Sequence, residues 1–332
     1  MFEKLLSFVL TATLFVQVAG AKTPVLKFRE DGEFKIVQFT DMHICEGKSE
    51  YRDAELKKTF GRLSRIINQE KPDLIVLTGD IVTDGNRARG WERLLDTLNK
   101  YKVPFCYMNG NHDPERYSRT EIASYVVSSP CSLNELDKAD ELADMEIEVL
   151  SSKDGKVASL IYCLDSRDYS TIQHVKGYGW FSSEQVAWLR NCCLKRAKAN
   201  GGVPVNSMAF FHICLPEYSQ AWDNPGKNSK GRAAENECPG ALNTGMFAAM
   251  VETGSVMGVF VGHDHDNDYV VAENGVALGY GRFSGDDTTY NNLRPGVRVI
   301  VLEEGQRAFR SWIIEDDGRV VDRMKFADGR ID

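Results

Sequence analysis

Five short segments concentrate the side chains that could hold cations. They are Phe39-Thr40-Asp41-Met42-His43, Thr78-Gly79-Asp80, Asn109-Gly110-Asn111-His112-Asp113, Phe210-Phe211-His212 and Gly262-His263-Asp264-His265. Together they hold five of the chain's six histidines. Carboxylates, amide oxygens and neutral imidazoles form the mixed oxygen and nitrogen donor set that suits manganese, zinc or iron. Two such ions side by side lower the pKa of a bound water and can clamp the attacking and leaving oxygens of a displacement. In an extended segment, residues two apart point to the same side, so Asp41 and His43 can face one cation. Gly79 lets the chain turn sharply before Asp80. Gly-His-x-His is the most specific element, since imidazoles two apart can serve a pair of neighbouring ions. The sixth histidine, His174, sits in a polar stretch without acidic neighbours and reads as a surface residue.

The segments are distant in sequence, so the fold must bring them together. Each follows an apolar, strand-like run: 34–39, 74–77, 105–108, 207–211 and 256–261. Helical spacing is predicted over 52–68 and 91–100, between the first three of these strands. Alternating strands and helices argue for a layered α/β fold with parallel pairing, in which functional groups collect beyond the carboxyl ends of strands. Farther along, 147–150 and 157–164 read as a hairpin around Lys153-Asp154-Gly155. A helix is predicted over 182–199 with Ser182 or Ser183 as N-cap. The C-terminal part reads as a β meander: 269–272, 276–278, 297–302, 308–314 and 320–326. With no internal repeat or linker, residues 22–332 are expected to form one domain.

In their joint order the five motifs make the sequence resemble the calcineurin-like metallophosphoesterases. Through His212-Ile213-Cys214-Leu215-Pro216-Glu217-Tyr218 and Gly262-His263-Asp264-His265-Asp266-Asn267-Asp268 it is most similar to their exported, purple acid phosphatase-like branch. The resemblance implies a four-layer α/β/β/α sandwich with two mixed sheets and the metals at the sheet edges. It implies that Asp41, His43 and His265 bind one ion and Asn111, His212 and His263 the other, with Asp80 bridging. His112 would be no ligand but the acid that protonates the leaving alkoxide, oriented by Asp113 or Asp84. Asn111, His112 and His212 would touch substrate. Purple acid phosphatases carry a tyrosine three residues after the bridging aspartate, where this chain has Thr83, so a ferric charge-transfer colour is not expected. The expected activity is hydrolysis of phosphomonoesters by in-line attack of a hydroxide between two divalent or mixed-valence ions. The alternatives are a phosphodiesterase using the same pair, and a metal-dependent binder of phosphate ligands without turnover.

Composition narrows the setting. Residues 1–21 carry Lys4, an apolar run from Leu5 to Val18 and Ala19-Gly20-Ala21, the layout of a cleavable signal peptide. The mature chain is thus expected to be exported, periplasmic or secreted, with no membrane contact after cleavage. A net charge of −8 makes nucleic acid an unfavourable partner. A small phosphate ester or a phosphorylated substrate fits instead. Of eight cysteines, Cys106, Cys163 and Cys214 lie in apolar runs as small hydrophobes, whereas Cys45, Cys131, Cys192, Cys193 and Cys238 are better placed to bridge. A long polar loop near 217–243 offers Lys227, Lys230 and Arg232 for substrate oxygens and Trp222 for stacking on an aromatic leaving group.

Overall fold

The computed structural model describes residues 24–223, 228–286 and 292–332. The leader-like segment 1–21 and Lys227 lie outside them.

Two mixed sheets form the centre. In the first, Glu33–Phe39, Leu74–Thr78 and Phe105–Met108 run parallel, and Gly296–Glu303, Ala308–Glu315, Val320–Ala327 and Arg330–Ile331 extend the sheet antiparallel from Glu33–Phe39. In the second, Val157–Cys163, Ser207–Phe210, Val256–Val261 and Val276–Tyr280 form the parallel centre. Its margins are Leu26–Lys27 and Met145–Leu150 on one side, and Val270–Glu273 and Ser229–Lys230 on the other.

The two-residue period of a strand explains the layering. Phe34, Ile36, Leu74 and Val76 point inward, where they meet Ile161, Met208, Phe210 and Phe260 of the opposite sheet. Val37, Phe39, Ile75 and Leu77 point outward onto Leu63 and Ile66 of helix Glu50–Glu70 and Trp91 and Leu94 of helix Arg87–Tyr101. On the far side, Leu160, Tyr162, Ala209 and Val259 pack on Leu189 of helix Ser183–Ala199 and Met250 of helix Met246–Thr253. Each such aliphatic side chain contributes about 1.5–3 kcal/mol when fully buried. The expected α/β/β/α sandwich is therefore present.

Three expectations need correction. The C-terminal strands do not form one meander: Val270–Glu273 and Val276–Tyr280 belong to the second sheet, while Gly296–Glu303 and those after it cross to the first. All eight cysteines are free, and the bridge candidates Cys45, Cys131 and Cys193 are buried as apolar packing. The loop near 217–243 is partly ordered into helix Glu217–Asp223 and strand Ser229–Lys230, and Trp222 stacks on Tyr269 with ring centroids 4.2 Å apart. One face of that indole therefore packs on the outer core. Among the described residues, no helix is long and apolar enough to cross a membrane.

Candidate dinuclear metal site

The parallel strands of both sheets end at one edge, and all five motifs occupy the loops that leave it. The chain turns there at a conformational cost. Asp41, His43, Asp80 and His263 adopt positive φ of 50°, 44°, 52° and 78°. Such left-handed backbone in non-glycine residues costs of order 1–3 kcal/mol each and persists where the surroundings enforce it. The loops brace one another: Asp41 N donates to Gly79 O at 3.0 Å, His43 N to Asp80 O at 3.0 Å and Gly262 N to His212 O at 3.0 Å.

Glycine is required where backbones approach. A Cβ on Gly110 would lie 2.2 Å from Asp80 Oδ1 and 2.4 Å from Asp80 N. The variant Gly110→Ala should therefore lose about 1–3 kcal/mol of stability, the usual cost of overpacking. Denaturant unfolding checks this, and an unchanged midpoint would show that the approach is looser than described.

Two groups of potential ligands result. In one, Asp41, His43 and His265 place one donor atom each within 4.8 Å of the others; in the other, Asp80, His212 and His263 do the same. Asp80 Oδ2 connects them, 3.3 Å from His212 Nε2 and 3.8 Å from His43 Nε2. Asn111 joins the second group, its Oδ1 3.1 Å from His212 Nε2. His265 Nε2 lies 3.3 Å from Asp41 Oδ1. The structure thus gathers all seven sequence-predicted ligand positions at one place.

The surroundings orient these side chains. His212 Nδ1 donates to Thr78 O at 2.7 Å, which turns Nε2 toward Asp80 and Asn111. Thr83 Oγ1 lies 3.4 Å from His43 Nδ1, so the residue at the tyrosine's place touches a histidine from behind. Asp41 accepts from Thr40 Oγ1 at 2.7 Å and from His263 N.

Electrostatics separates the imidazoles. Burial lowers the pKa of His43 to about 4 and, with the nearby His212 charge, that of His263 to about 3, so both are neutral with available lone pairs. Burial opposes charge on His212 too, but the adjacent Asp80 carboxylate overrides it and carries the ring up to about 10. Against the same burial, His212 and His43 hold Asp80 well below the usual carboxylate range. The Nε2 atoms of His43 and His263 are buried and have no hydrogen-bond partner among the described residues. Buried polar atoms seldom stay unpaired. Two neutral imidazole nitrogens without partners, facing two carboxylates and an amide oxygen, are the donor set a pair of divalent cations requires.

His112 stands beside the ligands. Its backbone N donates to Asp80 Oδ1 at 2.8 Å, and its ring centroid is 5.6 Å from that of His43. The expected orienting residues are corrected. Asp113 accepts from the backbone nitrogens of Gly110, Asp80, Ile81 and Val82 at 2.7–3.1 Å, so it fastens two ligand loops together and does not face the His112 ring. Asp84 is engaged by Lys48 and Arg116. The ring partner is Glu115, whose Oε1 lies 2.8 Å from His112 Nδ1. Its position three residues on could have signalled it. Two aromatic neighbours carry no such signal. Tyr178 packs edge-on to His263 with centroids 4.3 Å apart, and Tyr169 stacks on Tyr178 and accepts from Asn111 Nδ2 at 3.2 Å. His174 is exposed, as expected.

With sandwich, edge and ligand groups in place, comparison defines the class. Residues 34–267 match the calcineurin-like phosphoesterases, and the chain belongs to that family. It is 32% identical over 296 residues to a probable inactive purple acid phosphatase 29 of Arabidopsis thaliana, covering 79% of this chain and 75% of that one. It is 30% identical over 273 residues to the phosphatase DCR2 of Saccharomyces cerevisiae, covering 75% and 46% respectively. Among solved structures, a dimetal phosphatase from Danio rerio matches with TM-score 0.58 and 16% identity over 89% of this chain and 99% of that one. The purple acid phosphatase PPD1 from yellow lupin seeds matches with TM-score 0.53 and 13% identity over 92% and 54%. These two likenesses concern the fold.

Proposed function

We propose that the chain hydrolyses phosphate esters, phosphomonoesters foremost, with two metal ions held by Asp41, His43 and His265 on one side, Asn111, His212 and His263 on the other, and Asp80 between them. The observation that carries this reading is the position of Asp80 Oδ2, within reach of His212 Nε2 at 3.3 Å and His43 Nε2 at 3.8 Å. When bound, manganese, zinc or iron ions supply Lewis-acid charge and acidify water. Two carboxylates, Asp41 and Asp80, against two divalent ions leave the site net positive, which favours a dianionic monoester over a monoanionic diester.

The chain's own groups do the rest. Asn111 and His212 border the space beside Asp80 where a phosphoryl group would lie. His112, held by its backbone bond to Asp80, presents an imidazole that delivers a proton to the leaving oxygen. The Arabidopsis relative is named probable inactive. Here all seven ligand positions and His112 are present, which supports turnover over ligand capture alone. Export, proposed on the leader-like residues 1–21, fits a substrate outside the cytoplasm.

Initial rates on 4-nitrophenyl phosphate and bis(4-nitrophenyl) phosphate, with manganese, zinc or iron added, test the reading. The monoester should be hydrolysed at least about tenfold faster, the equivalent of roughly 1.4 kcal/mol in the barrier. Faster diester cleavage would assign the same site to a phosphodiesterase. Metal uptake without release of phosphate from any ester would assign it to a binding protein.

A further inference from the structure

The ring of His112 is gripped by a carboxylate that neither the fold nor the ligand set calls for. Asp113–Glu115 forms a single 3-10 turn capped by His112, with Pro114 fixing its backbone. Side chains three apart eclipse in such a turn, so His112 and Glu115 share one face, with Nδ1 and Oε1 at 2.8 Å. The same Oε1 accepts the Tyr169 hydroxyl at 3.0 Å. That hydroxyl in turn accepts Asn111 Nδ2 at 3.2 Å.

Donor and acceptor chemistry fixes the sense of this chain. An amide NH2 only donates and a carboxylate only accepts, so the tyrosine hydroxyl takes its hydrogen bond from Asn111 and gives its own proton to Glu115. Glu115 then takes a second bond, from Nδ1–H of His112, so the proton that the acid form of the ring delivers is the one carried on Nε2. At the other end, anchoring Asn111 Nδ2 turns Oδ1 toward His212. The segment bearing Tyr169 is itself fastened, because Arg119 pairs with Asp165 at 2.6 Å and with Asp168 at 3.2 Å.

We propose that Glu115 and Tyr169 are positioning residues for the reaction: Glu115 holds Nδ1–H of His112 and so aims the Nε2 proton that the acid form delivers, and Tyr169 couples that carboxylate to Asn111. The inference rests on the reading of His112 as the leaving-group acid. Glu115 and His112 are each 42% exposed. A pair so open to water adds little to folding stability. Its consequence is kinetic, and it depends on how much the leaving group needs a proton.

The test compares Glu115→Ala, Glu115→Gln, Tyr169→Phe, His112→Ala and the double variant His112→Ala with Glu115→Ala. Substrates are glycerol 2-phosphate, whose alkoxide must be protonated, and 4-nitrophenyl phosphate, whose phenolate leaves unaided. Glu115→Ala should lower kcat on the glycerol ester about 10- to 100-fold with little change in KM, the usual effect of losing a group that orients a reacting residue. On the nitrophenyl ester it should change kcat by less than about threefold, because acid assistance matters little there. Glu115→Gln should restore most of the loss, since its amide oxygen still accepts from Nδ1. Tyr169→Phe should fall between Glu115→Gln and Glu115→Ala.

The double variant should be no slower than His112→Ala, because Glu115 acts through that ring. Independently of turnover, nitrogen-15 shifts of the neutral His112 ring, recorded at alkaline pH, should report the Nδ1–H tautomer in the unmutated protein and a mixture in Glu115→Ala. Equal slowing of both esters, further slowing of His112→Ala, or an unaltered tautomer overturns the positioning role. A slow His112→Ala beside an unaffected Glu115→Ala overturns it alone. A His112→Ala that keeps its full rate on the glycerol ester overturns the acid reading and this inference with it.

Discussion

Asp80→Asn should lower kcat/KM by about 10^4-fold or more, even with saturating metal. The substitution keeps the shape and one acceptor oxygen, so the backbone bond from His112 to Oδ1 can persist. It removes the charge that connects the two ligand groups, because Oδ2 is the atom lying near both His212 and His43. An amide nitrogen there would point hydrogens at the site the ions need. Metal charge stabilises the transition state by several kcal/mol, and each 1.36 kcal/mol is a factor of ten in rate. Steady-state rates on 4-nitrophenyl phosphate check the expectation. Activity within tenfold of the unmutated protein would mean that Asp80 does not bridge.

His112→Ala should cost about 10^2- to 10^4-fold on an alkyl phosphate, the range ascribed to a positioned general acid. On a nitrophenyl ester the loss should be far smaller, because that leaving group departs as a stable anion. The geometry gives the reason for expecting a split rather than a uniform loss. The ring is tied to the site by its own backbone nitrogen and by Glu115, while the ligand donors come from other residues. Removing the ring should thus leave the metal groups assembled. A comparable fall on both esters would mean that His112 supports the ligand loops instead of delivering a proton.

Much of this arrangement was legible in the sequence because its signals are local. Strand Leu74–Thr78, for example, opens with four apolar side chains buried on both faces, and it is followed by Gly79-Asp80, where the fold turns. The same order of apolar run, turn and ligand recurs at Asp41, Asn111, His212 and His263, so the shared sheet edge could be inferred before any coordinate. Sheet membership was not legible. Val276–Tyr280 and Gly296–Glu303 have similar apolar textures yet lie in opposite sheets, and nothing in a two-residue period states which partner a strand will choose.

Besides Glu217–Asp223, hidden in what reads as a loop, two helices escaped for different reasons. Arg119–Ser128 buries only Ile122, Ala123 and Val126, too narrow a stripe to show a period, although Ser118 and Glu121 form a capping box that marks its start. Met246–Thr253 is short and mostly apolar, a texture a strand shares. Side-chain destinations were harder still. Asp113 beside His112 suggested a dyad, but four backbone N–H groups converge on its oxygens, and that convergence exists only after two loops have met. Tyr169 and Tyr178 come from an aperiodic loop whose approach to Asn111 and His263 is set entirely by tertiary packing.

Anomalous diffraction from crystals of the protein soaked in manganese is the most direct test of the account. Two peaks about 3.5–4 Å apart, flanking the Asp80 carboxylate, are the predicted result. A single peak, or manganese bound away from Asp41, His43, Asn111, His212, His263 and His265, would contradict it.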